Sequence, residues 1–146
     1  MTRVIRSAFM AFLSLFMSCE IEPEKIDYGI DACSFCKMII VDQQHAAQYV
    51  AKNAKQYKFD AIECMLNDIA EKGSTEISIC LIADYMQPAS MIRAQDATYL
   101  ISDMIKSPMG ANLSGFSDRT KAEVMKIEKG GQLYSWQELL IKFDAE

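Results

Sequence analysis

This sequence has one histidine, one close pair of cysteines with no second pair to match it, and no apolar run long enough to cross a bilayer. Each shortage excludes something. A four-cysteine zinc site needs two pairs at short spacing, and Cys64 and Cys80 are too far apart to form one. A lone histidine, His45, opens a predicted strand. Such a residue is more often hydrogen-bonded or at the surface than a ligand, so His45 is a peripheral metal candidate. The uncharged run from Ser7 to Ser18 falls short of the ~18 residues a membrane-spanning helix needs. Positive charge is also scarce, with 15 basic against 20 acidic residues.

The start of the chain reads as a secretory leader. Arg3 and Arg6 precede the apolar run, which ends at Leu15-Phe-Met-Ser18-Cys19. That ending resembles a bacterial lipobox, with a small residue before the cysteine. The expected division is a lipoprotein signal peptide over 1–18, a tether over 19–30 that is polar and contains Pro23, and a metal-binding domain over 31–146. Acylation of Cys19 would make this an exported lipoprotein on the periplasmic side, held to the membrane by its acyl chains alone. A simple secretory signal cut elsewhere is the alternative. Without Arg3 and Arg6 the chain has 13 basic and 20 acidic residues, a net charge of −7. That balance argues against nucleic acid as a partner and against docking on anionic lipid.

Hydrophobic periodicity predicts an α+β fold. Strands are expected over Lys37–Asp42, His45–Ala51 and Gln56–Phe59, followed by a helix over Ala61–Lys72. Asp60 is its predicted N-cap, Glu63 sits at the capping-box position and Gly73 at the C-cap. Ile62, Met65, Leu66 and Ile69 share one face. The plan then repeats loosely: a strand over Glu76–Ala83, short strands over Met91–Ala94 and Thr98–Ser102, and a loop containing Pro108, Gly110 and Gly115. A helix over Thr120–Lys129 comes next. Ser135 caps a final helix over Trp136–Phe143, with Glu138 three residues on. Two related small halves of antiparallel strands plus a helix, with a C-terminal helix, are therefore expected.

Against these shortages stands a concentration of sulfur. Cys33-Ser-Phe-Cys36-Lys-Met38 places two thiols and a thioether within six residues. Soft ligands of both kinds select soft ions, Cu(I) above all. A thioredoxin-like redox pair would sit at a helix N-terminus, which lowers its thiol pKa. Here β-branched residues follow Cys36 instead, so a redox catalyst loses ground, while a Cys33–Cys36 disulfide stays open. Cys80 lies in an apolar strand pattern and reads as a packing residue. Cys64 faces either core or site. Most methionines are core filler, but Met109 lies between Pro108 and Gly110 in an irregular loop, where it is well placed to ligate, with core packing the open alternative.

Taken in order, these segments resemble the NosL family, copper-binding lipoproteins that serve assembly of nitrous oxide reductase. The resemblance rests on Cys19, Cys33…Cys36-Lys-Met38, Ala46-Ala-Gln48, Phe59-Asp-Ala-Ile-Glu-Cys-Met65, Ala83-Asp-Tyr85, Ser107-Pro-Met-Gly110 and Gly131-Gln-Leu-Tyr-Ser-Trp136. Lys37 departs from the family, which has glycine there, and the departure bears on the loop's backbone. The resemblance implies a Cu(I) carrier rather than an enzyme, with Cys36 as thiolate, Met109 as thioether and Met38 as a third or alternating ligand. Cys33 follows, with Cys64, Asp60 and His45 as outlying candidates. It also implies as partners an ABC-type transporter and its periplasmic companion. Two other functions compete: a thiol–disulfide exchange lipoprotein using Cys33 and Cys36, and a general copper or heavy-metal tolerance protein.

Overall fold

The structure is a computed structural model and describes residues 21–144. The leader and Cys19 lie outside the described residues. The fold is α+β, with two antiparallel sheets and three helices. The first half runs β1 (Ala47–Ala51), β2 (Gln56–Phe59), α1 (Ile62–Lys72), β3 (Ile77–Asp84) and β4 (Gln87–Arg93). The second runs β5 (Thr98–Ile101), β6 (Leu113–Phe116), α2 (Arg119–Lys129), β7 (Gln132–Tyr134) and α3 (Trp136–Asp144). A single 3₁₀ turn, Ala94–Asp96, joins them.

The two halves share one plan. Each opens with a hairpin, crosses through a helix, and returns a strand to the far side of the hairpin's first strand. The sheet orders are β2-β1-β3-β4 and β6-β5-β7. The sequence divides the halves at Glu76, but β3 pairs with β1 and so completes the first unit rather than opening the second.

Both units close on one apolar core. Tyr49, Phe59 and Ile82 of the first sheet meet Tyr99 and Leu113 of the second, with Met65 and Leu66 of α1 and Leu139 of α3 between them. The sheets touch at Gly115 of β6, which the sequence assigns to a loop. A Cβ there would lie 2.0 Å from Ile82 Cδ1, so any larger residue would push the Ile82 side chain out of the contact. A smaller cluster of Leu100, Ile105, Phe116 and Ala122 lies beneath α2.

Three further expectations are corrected. Lys37–Asp42 is not a strand of either sheet. It makes one bridge, Ala32 with Ile39, and two hydrogen bonds around Ile40. Ile40 is buried while Ile39 and Val41 are exposed, so the alternation is real but the partner segment is too short to extend it. The described part of the expected tether is fastened to β2 rather than free. Glu24 N–H donates to Gln56 Oε1, Lys58 Nζ donates to the Lys25 carbonyl, and Ile26 joins the core. Finally, Ala61 is the N-cap of α1, in extended conformation and without a side-chain bond; Asp60 lies just outside. At the far end the C-cap is Gly73, as expected, its N–H bonded to the Ile69 carbonyl.

Candidate metal centre

The knuckle Cys33–Met38 is a closed turn built from its own backbone. Cys33 N–H donates to the Met38 carbonyl at 2.7 Å, and Lys37 N–H donates to the Cys33 carbonyl at 3.0 Å. Closing it requires a left-handed residue, and Lys37 takes that conformation with φ 68°. The turn is clamped to β2 by a reciprocal pair: Ser34 N–H donates to the Lys58 carbonyl at 2.7 Å, and Lys58 N–H donates to Ser34 Oγ at 3.2 Å. The chain then passes from Lys58 through Phe59 to Asp60 and the first turn of α1. One clamp therefore sets both cysteines of the knuckle against the β2–α1 junction.

Four side chains converge there. The sulfurs of Cys33, Cys36 and Cys64 and a carboxylate oxygen of Asp60 all lie within 4.8 Å of one another. Cys33, Cys64 and Asp60 are buried; Cys36 is half-buried and is the cluster's accessible face. Cys36 Sγ donates to Asp60 Oδ1 at 3.4 Å, which is what the carboxylate does in place of capping the helix. Cys33, Cys36, Cys64 and Cys80 are free thiols.

The environment separates the three sulfurs. The Cys64 thiol donates to Cys33 and, with the N–H groups of Asp60, Cys36 and Phe35, outweighs the burial that opposes it. Together they lower the Cys33 pKa to about 6. Cys36 is pushed up to about 11, by burial first and then by the neighbouring Cys33, although the Met38 N–H works against the rise. Cys64 is raised, chiefly because its proton is committed to Cys33. Without metal, the surroundings favour the thiolate form at Cys33 over Cys36. The donors that favour it include the Asp60 amide, which lies just before the N-cap of α1.

The remaining candidates are placed as follows. Met38 and Met109 are exposed on the surface, at 52% and 44%. Met109 sits in a turn fastened to α1 through Glu63, the residue before Cys64: Ser107 Oγ and Ala111 N–H both donate to Glu63 Oε1. Glu63 thus forms no capping box. His45 is buried away from the sulfur cluster, its Nδ1 2.9 Å from Asp42 Oδ2 and its Nε2 3.1 Å from Ser114 Oγ. Both ring nitrogens are engaged, Nδ1 with the turn before β1 and Nε2 with β6. Cys80 packs in the core on β3, where burial raises it to about 11.

The NosL family model matches residues 26–142. The chain belongs to the NosL family. Its fold is also that of a solved NosL protein, a copper chaperone from Shewanella denitrificans, with a TM-score of 0.72. That likeness is 19% identical in sequence and covers 82% of this chain and 96% of the other. Comparison with curated proteins gives no match. In this NosL chain the sequence singled out the knuckle and ranked Cys64 and Asp60 as peripheral, whereas the fold brings both into the cluster. The signal for them was their spacing: four residues apart at a strand-to-helix junction, both on the side that a buried turn presents inward. Glu63 was missed, because its position three residues after Asp60 mimics a capping box.

Proposed function

We propose that this NosL-family protein is a membrane-anchored Cu(I) chaperone that delivers copper for assembly of the nitrous oxide reductase copper centre. The observation that carries the reading is the gathering of three cysteine sulfurs at one place, with one of them accessible. Sulfur donors suit Cu(I). A carrier must also release its ion, and a site open on the Cys36 side lets an acceptor's ligands enter stepwise. Cys36, Met109 and Met38 are the leading ligands, with Cys33 and Cys64 supplying inner sulfur. Asp60 orients the Cys36 thiol; a hard carboxylate oxygen is a poor Cu(I) donor. The solved relative's own description as a copper chaperone supports the reading, as does the family. Acylation of Cys19, a periplasmic setting and hand-off to an ABC-type transporter and its partner belong to the same proposal. Cys19→Ser should leave unacylated precursor.

One feature favours a second reading. Three thiolates and a carboxylate form a donor set that also suits tetrahedral Zn(II). Anaerobic titration of the reduced protein with Cu(I), with X-ray absorption to count sulfur neighbours and Zn(II) as competitor, separates the two. Copper chaperoning predicts about one Cu(I) per chain in a sulfur shell that Zn(II) does not displace. Preference for Zn(II) would overturn it. A reversible dithiol couple active without metal would favour thiol–disulfide exchange instead.

A further inference from the structure

Glu63 is buried to 2% exposure and turns its carboxyl group to a distant loop. Its Oε1 accepts from Ser107 Oγ and, at 3.3 Å, from Ala111 N–H. Ser107 Oγ in turn accepts from Asn112 N–H at 2.8 Å. One carboxylate oxygen thus gathers both ends of the turn 107–112, whose exposed middle is Pro108, Met109 and Gly110. The turn's other hydrogen bonds run within itself or to the end of β5, through Ser102 and Asp103. Among the described hydrogen bonds, those to Glu63 are the ones that tie it to α1. Among the described residues, Glu63 Oε2 is buried without a hydrogen-bond partner. A buried carboxylate with an unsatisfied oxygen is a costly strut, and stability alone does not account for it.

We propose that Glu63 is a positioning residue for copper: it holds the 107–112 turn, and with it the Met109 thioether, against the first turn of α1 beside Cys64. This rests on the reading of Met109 as a Cu(I) ligand. It explains why the residue next to a buried cysteine is itself a buried acid, and why that acid reaches across to the second half of the fold.

The test compares Cu(I) affinity of the full chain under anaerobic conditions, by competition with a chromophoric Cu(I) chelator, in five proteins. These are the parent, Glu63→Ala, Glu63→Gln, Met109→Ala, and the double variant Glu63→Ala with Met109→Ala. Partners behind a ligand typically contribute about 10–100-fold to metal affinity, so Glu63→Ala should weaken binding by that order. Glu63→Gln keeps an acceptor at Oε1 and should stay within a few-fold of the parent. The double variant should bind no more weakly than Met109→Ala alone, and X-ray absorption should lose one sulfur neighbour in each single alanine variant. If Glu63→Ala does not fold, Ser107→Ala removes the same strut from the loop side and should show the same loss. Unchanged affinity in Glu63→Ala while Met109→Ala is weakened would overturn the proposal and leave the copper reading standing. No effect of Met109→Ala would remove Met109 as a ligand and the proposal with it. Additive losses in the double variant, or a glutamine variant as weak as the alanine, would show that Glu63 acts by charge or fold instead.

Discussion

The same supersecondary unit appears twice, and its strand-to-helix junction is treated differently each time. In the second half, β6 ends at Phe116 and Asp118 caps α2, accepting from Thr120 N–H at 2.8 Å. Arg119 and Glu123 pair across one turn on the surface, and of the helix only Ala122 is buried. In the first half, β2 ends at Phe59 and the equivalent cap position holds Ala61, fully buried and unable to cap. Asp60 turns to the Cys36 thiol and Glu63 to the 107–112 turn. The cap position is polar and completes the helix in the second half; in the first it is apolar, and the flanking acids bond to other segments. Local rules are broken where a site is built, and here the intact copy stands beside the broken one.

The largest effects should come from the sulfurs that only the first junction has. Cys36→Ser, Cys33→Ser and Cys64→Ser should each weaken Cu(I) binding beyond the roughly 10–100-fold typical of outer partners. Cys80→Ser should leave affinity per folded molecule unchanged, because Cys80 packs in the core on β3. Chelator competition on all four variants measures this. Equal losses across the four would mean the site lies elsewhere.

Two methionines sharpen the contrast between core and surface. Met65 of α1 is fully buried, so Met65→Ala should cost about 2–5 kcal/mol. Met109 is exposed in its turn, so Met109→Ala should leave the apo midpoint nearly unmoved while Cu(I) affinity falls. Thermal unfolding and copper titration of the same samples decide it. A sharp fall in midpoint with unchanged affinity would make Met109 a packing residue and leave the site to the cysteines and Met38.

The two junction aspartates should then part ways. Asp118→Ala removes a working cap and should cost about 1 kcal/mol, with no effect on metal. Asp60→Ala removes no cap. It should leave unfolding stability level or slightly improved, since a buried carboxylate goes with it, and lower Cu(I) affinity by about tenfold or more. If Asp60→Ala instead destabilised the fold as Asp118→Ala does, the two junctions would be equivalent after all.

Much of this was legible in the sequence, and the gaps have physical causes. The helices were readable from apolar spacing and glycine stops, and the Ser135–Glu138 capping box forms as expected, with Ser135 N–H bonded to Glu138 Oε2 at 2.7 Å. The knuckle cysteines stood out because their spacing is local. Asp60 and Glu63 were misread because helix-capping patterns are local as well, whereas the partners that claim these side chains, Cys36 and Ser107, come from distant segments. Ile39-Ile-Val41 has strand periodicity without a strand to pair with. The strand β7 has only three residues and follows Gly130-Gly131, so it carries no periodic signal. Gly131 is there because a Cβ would lie 2.1 Å from the Ile101 carbonyl oxygen, a contact that only the folded sheet creates.

The smallest expected effect concerns the knuckle's one strained residue. A non-glycine residue in the left-handed region costs roughly 1–2 kcal/mol, and Lys37 bears that cost at φ 68°. Lys37→Gly relieves it, but glycine gives back about 0.5–1 kcal/mol through the freedom it adds to the unfolded chain. The substitution also removes the solvent-exposed bond from Lys37 Nζ to the Ser34 carbonyl. The net expectation is a gain of no more than about 1 kcal/mol in the apo protein, with Cu(I) affinity unchanged because neither the sulfurs nor the Ser34–Lys58 clamp is touched. Thermal unfolding with and without Cu(I) reads both quantities. A loss of stability would mean that the lysine head group on Ser34, rather than the backbone turn, holds the knuckle closed, and the cluster would then depend on a surface charge.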